Sequence, residues 1–194
     1  MSKSERRLPK QERSRQRYNH ILNTAALLFS EDGIDAVSTN HIAAKAEVSI
    51  GSVYQFFPNK EAIVEAIIER FIDDVNAVFP ENLDAGLSRE AITRQVLEEF
   101  LALEQQKQGF NEVMLNADNS MADRLHTCLV EGVSRVLRAY YPQADEEKMI
   151  LCANVTVFIT KGLMMVEGLP PDKLLDQMVL AVSSYQSRFF SNNS

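Results

Sequence analysis

Proline and glycine mostly fall between long stretches whose apolar residues recur every three or four positions. That arrangement leaves the chain little to form except helices. Gly33, Pro58, Pro80, Pro142 and the pair Pro170 and Pro171 act as punctuation. Seven Gly and six Pro are too few for a sheet protein rich in turns. Between the breaks lie Ile21, Leu22, Ala25, Leu28 and Phe29, then Ile63, Ile67, Phe71, Val75 and Val78. Further on come Ile92, Val96, Phe100 and Leu103, then Leu125, Leu129, Val133 and Val136. The alternation Val155-Thr156-Val157 looks like a strand, but its flanks are helical. The expected fold is all-α with about nine helices, including a short one at 110–116.

Several function classes drop out early. Cys128 and Cys152 each sit in an apolar helical pattern, as buried free thiols do, and no Cys/His cluster has zinc spacing. The charged N-terminus has no apolar signal region. The longest apolar stretch, 150–166, holds Asn154, Thr156, Thr160 and Lys161, so it reads as a buried or interface helix rather than a membrane span. A cytoplasmic protein without a membrane segment is expected. His20, His41 and His126 lie in separate segments, and there is no nucleophile motif or phosphate loop. No catalytic residue, metal site or cofactor is expected.

The net charge of −7 is unevenly spread. Residues 1–17 carry Lys3, Arg6, Arg7, Lys10, Arg13, Arg15 and Arg17 against Glu5 and Glu12, a net +5. Residues 18–60 add Lys45 and Lys60 against Glu31, Asp32, Asp35 and Glu47, so the first 60 residues hold +3 and the rest −10. A basic binding end on an acidic body has this pattern. Charge alone fits a basic tail kept for solubility equally well.

The segment 38–57 separates these readings. Ser38 or Thr39 can cap a short helix through Ala46, and Ser49 can cap a second reaching Phe57, where Pro58 stops it. Two short helices joined by a tight turn have the dimensions of a helix-turn-helix. In that unit the second helix enters the major groove by its leading end. Such a helix needs apolar residues inward, here Val53 and Phe57. Outward it needs small or hydrogen-bonding ones, here Ser49, Ile50, Gly51, Ser52 and Gln55.

The stretch TNHIAAKAEVSIGSVYQFFPNKEAIVEAI resembles the DNA-binding region of the TetR family of bacterial transcriptional regulators. The resemblance runs from about Arg15 to Val75, and its aromatic run ending at Phe57, followed by Lys60, is specific to that family. It implies a basic flexible arm at 1–14, a DNA-binding domain at 15–75, and a helical ligand-binding and dimerisation domain at 76–194. It also implies that Thr39, as the cap of the second helix, Tyr54 and Lys60 meet phosphates. Asn40 would reach a base or the backbone, and Ser49, Ile50, Gly51, Ser52 and Gln55 would line the leading and outer side of the recognition helix. Glu47 departs from the pattern, because many members have Gly in that turn. A left-handed residue there would cost a non-glycine about 1 kcal/mol, so the turn either bears that strain or takes another shape.

For the acidic body the resemblance implies a homodimer through the last two helices, 145–166 and 172–190, with Gly162 permitting close approach. The middle helices are expected to enclose an unidentified small molecule, with Phe100, Leu103, Phe110, Met114, Leu125, Met164 and Met165 as adaptable apolar surface and His126 and Asn154 orienting a polar group. The expected function is a homodimeric repressor of double-stranded DNA, released from a palindromic operator by that ligand. An activator of the same fold, or an all-helical carrier or enzyme, are the alternatives.

Overall fold

A computed structural model describes residues 12–81, 86–106, 119–166 and 168–191. The described residues form eight helices: α1 (Glu12–Asp32), α2 (Thr39–Lys45), α3 (Ile50–Phe56), α4 (Lys60–Val78), α5 (Arg89–Gln106), α6 (Asn119–Tyr140), α7 (Glu146–Met164) and α8 (Pro171–Ser191). The short helix expected at 110–116 lies outside the described residues, as do 1–11 of the basic arm. Because α1 begins at Glu12, residues 12–14 belong to that helix rather than to the arm. The chain divides into two compact units, Met1–Phe71 with Gln106–Ala122 and Ile72–Gln105 with Asp123–Ser194.

In the first unit the helix ends follow local chemistry. Gly33 closes α1 at φ 79°, its N–H donating to the Phe29 carbonyl at 3.1 Å. The hydroxyl of Ser38 accepts from the His41 N–H at 3.1 Å, so Ser38 is the N-cap of α2. The expectation that Thr39 caps this helix is therefore corrected: Thr39 is its first helical residue. Ser49 caps α3 by accepting from the Ser52 N–H at 3.1 Å. Phe57 ends α3 in extended backbone, as a residue before proline must. Asn59 Oδ1 then accepts from the Ala62 N–H at 2.9 Å and starts α4.

The same unit buries Ile21, Leu22 and Phe29 of α1 with Val37, Ile42, Val53, Phe57, Ile63 and Ile68. Each such side chain contributes about 1.5–3 kcal/mol relative to leaving it in water. Tyr18 stacks at a tilt on Phe57, ring centres 4.9 Å apart, and meets Phe56 edge-on at 5.8 Å. His20 Nε2 donates to the Ala46 carbonyl at 3.0 Å and holds the turn between α2 and α3 against α1.

In the second unit α7 and α8 pack together around a buried polar link, in which Gln186 Nε2 donates to Thr156 Oγ1 at 3.2 Å. Arg89 of α5 donates to Gln186 Oε1 at 2.8 Å and to the Ser183 carbonyl at 3.1 Å. Tyr141 stacks on Phe190 at 3.9 Å. Gly132 of α6 lies so close to Phe79 that a Cβ there would fall 2.3 Å from the ring. Cys128 and Cys152 are buried and free, as the sequence implies. No described helix is long and apolar enough to cross a membrane.

Candidate functional site

The turn between α2 and α3 sets the angle of the recognition helix. Glu47 is, among the described residues, the one non-glycine with positive φ, 53°. Its N–H donates to the Ala44 carbonyl at 3.2 Å, and that of Val48 donates to the Ala43 carbonyl at 3.0 Å. That pair of bonds is a Schellman ending, which glycine usually supplies. The turn thus keeps the left-handed shape with a glutamate in it.

Beyond the turn, α3 buries Val53 and Phe56 and turns Gly51, Tyr54 and Gln55 to solvent. Phe56 was not singled out as an inward residue, although it follows Val53 by three positions and so shares its face. A Cβ on Gly51 would meet nothing nearer than Ser49 Oγ at 3.9 Å. The protein's own packing therefore does not require glycine there. Ser49 and Ser52 also bond each other through their hydroxyls at 2.9 Å, so both are tied into the cap. Asn40 is exposed on α2, and Ile50 is half-buried at the tip of α3.

Thr39, Tyr54 and Lys60 come together although the first and the last are 21 positions apart in the chain. They line one groove with Ser38 and Asn59, and Asp35 is also on its wall. The Thr39 and Tyr54 hydroxyls are 3.3 Å apart. Lys60 Nζ donates to the Ile34 carbonyl at 2.7 Å, which aims the ammonium and leaves two of its three N–H groups unused by that bond. Ser38 and Asn59 were read only as helix caps. Their place in the groove follows from capping the helices that Thr39 and Lys60 begin.

The residues expected around a ligand do not all meet. Phe100 lines a cavity in the second unit with Phe79, Leu129, Val133, Val157 and Met164. His126 and Asn154 do not reach it. His126 Nε2 donates to Asn154 Oδ1 at 2.9 Å in a separate surface cleft, and Asn154 Nδ2 donates to the Ile150 carbonyl, so the amide is held on its own side of α7. Met165 lies one residue past the end of α7 and is 84% exposed, while its neighbour Met164 turns to the cavity. Phe110 and Met114 lie outside the described residues.

Two short capped helices, an outward face of small and polar residues and a groove of hydroxyls beside an ammonium define a helix-turn-helix protein. The family model for "Bacterial regulatory proteins, tetR family" matches residues 21–67. The HTH-type transcriptional repressor KstR2 of Rhodococcus jostii (strain RHA1) is 36% identical over 75 residues, which are 39% of this chain and only 37% of that protein. The crystal structure of a TetR-family transcriptional regulator from Streptomyces coelicolor matches 89% of this chain and 99% of its own, with a TM-score of 0.62 and 28% identity. A transcriptional regulator from Aquifex aeolicus VF5 matches 86% of this chain and 98% of its own at a TM-score of 0.68, and at 19% identity it shows the fold alone. Residues 21–67 thus match the tetR family of bacterial regulatory proteins, and the fold of most of the chain is similar to that of a solved TetR-family regulator.

Proposed function

We propose that this chain is a homodimeric transcriptional repressor that holds a palindromic operator through α2, α3 and the start of α4. A small molecule bound in the second unit would release it. The observation that carries the reading is the shared groove of Thr39, Tyr54 and Lys60 beside the uncovered Gly51 of α3. Two hydroxyls and an ammonium suit a backbone phosphate, and these contacts position a helix without reading sequence. Asn40 and Gln55 are the side chains able to pair with base edges. Residues 15–75 would thus bind DNA, and residues 76–194 would bind ligand and a second copy.

Support for pairing through the last two helices comes from an exposed apolar stripe. Leu151, Phe158 and Met165 follow one face of α7, with Gly162 between the last two, and Leu180 is uncovered on α8. A Cβ on Gly162 would meet nothing within 4 Å, so a partner helix has room to approach. Ligand would favour one spacing of the two reading heads and shift the population away from the DNA-competent one.

Selection of random duplexes by the purified protein tests the reading. Enrichment of a palindrome is expected, with affinity falling steeply as salt rises. Lys60→Met is expected to lower the salt slope by about 1 without changing the selected sequence. A pool with no palindrome would sink the proposal.

A further inference from the structure

The cavity of the second unit is narrow, with a volume of about 70 Å³, and it opens to solvent. Its lining on α7 runs from Thr156 to Met164, about 12 Å of helix. The walls are apolar, with Phe100, Leu129 and Val133 among them. The polar residues of the wall are largely used on one another. Gln186 is held between Arg89 and Thr156, and the Thr160 hydroxyl donates to the Thr156 carbonyl at 3.0 Å.

Lys161 differs from them. It is the charged residue of the lining, and its own surface is more than a third exposed, which places it at the mouth. Burial holds its pKa below the usual lysine range, and no carboxylate contributes. An ammonium at the mouth of an apolar pocket gains most from an anion attached to an apolar body.

We infer that the cavity takes a slender amphipathic acid, its apolar chain between α5, α6 and α7 and its carboxylate on Lys161. This rests on the ligand-responsive reading above and narrows the ligand to one chemical class. The alternative is a lysine whose stem covers apolar surface while its head stays in water.

Calorimetric titration of the full chain with decanoate, decan-1-ol and decyltrimethylammonium separates these. Decanoate is expected to bind about tenfold more tightly than the alcohol, as a charge-assisted hydrogen bond provides. Lys161→Met should remove that advantage and leave the alcohol's affinity unchanged, while Lys161→Arg should keep most of it. A thermal melt of each variant confirms that it is folded. Equal binding of acid and alcohol, preference for the cation, no binding of decanoate, or an unaffected Lys161→Met would each overturn the inference. Repeating the titration on a selected duplex separates the two claims. Decanoate that binds through Lys161 without displacing DNA leaves this inference standing and overturns ligand release. Displacement by the neutral alcohol alone does the opposite.

Discussion

Gly51 in the first unit and Gly132 in the second are opposites. In the first, Gly51 has open space where a side chain would go, and no neighbour in the protein needs it to be small. In the second, Gly132 has no space at all, because the ring of Phe79 occupies it. A glycine with open space around it is not there to satisfy packing. A glycine that the fold does need reports on packing. Packing thus accounts for Gly132, and nothing in the fold accounts for Gly51.

Gly132→Ala should show the largest effect. The new methyl must push the buried Phe79 ring, and overpacking of this kind costs about 1–3 kcal/mol. Phe79 also lines the cavity, so decanoate binding should weaken in the same variant. Urea denaturation and calorimetry read both. An unchanged midpoint would mean that Phe79 moves freely, and the contrast between the two glycines would fail.

Glu47→Gly comes next and acts on the first unit. A left-handed residue other than glycine is strained by about 1 kcal/mol, so the change should raise stability by up to that amount. It also removes a carboxylate beside the proposed DNA-binding helix, so affinity for a selected duplex should rise slightly. A fall in stability would show that Glu47 makes contacts that outweigh its backbone strain.

Gly51→Ala sharpens the comparison most directly. Glycine in a helix costs about 0.5–1 kcal/mol relative to alanine, so the folded state should gain up to that much. Duplex affinity should drop, because the methyl would hold the helix away from the base edges. A gain in stability without a loss of binding would remove Gly51 from the interface.

What could be read from sequence follows the same division. In the first unit Gly33, Ser49, Pro58 and Asn59 each act within a few residues of themselves, so boundaries and inward faces follow from local rules. Even the strain at Glu47 was legible, as one of two outcomes. The bond from Lys60 to the Ile34 carbonyl was not, because it spans 26 positions. In the second unit the helices were legible, but of the cavity wall only Phe100 and Met164 were. That wall depends on how four helices rotate against one another, and a shift of one residue, from Met164 to Met165, separates the lining from solvent. His126 and Asn154 show a related point, because two polar residues in apolar patterns can satisfy each other away from that wall.

The smallest expected effect uses a chemical asymmetry. Both cysteines, Cys128 and Cys152, lie in the second unit, so thiol labelling reports on that unit alone. Burial pushes the Cys152 thiol up to about 11, with the Thr156 hydroxyl opposing it. At pH 8 only about a thousandth of it is thiolate, the species that reacts. Burial raises the Cys128 thiol as well. Labelling of the folded chain should therefore be slow, and urea should expose both thiols together as the second unit opens. Thr156 lies on the cavity wall, so decanoate should slow the labelling of Cys152 further if it closes that unit. A rate that ignores decanoate while calorimetry shows it bound would mean that ligand stabilises some other part of the chain.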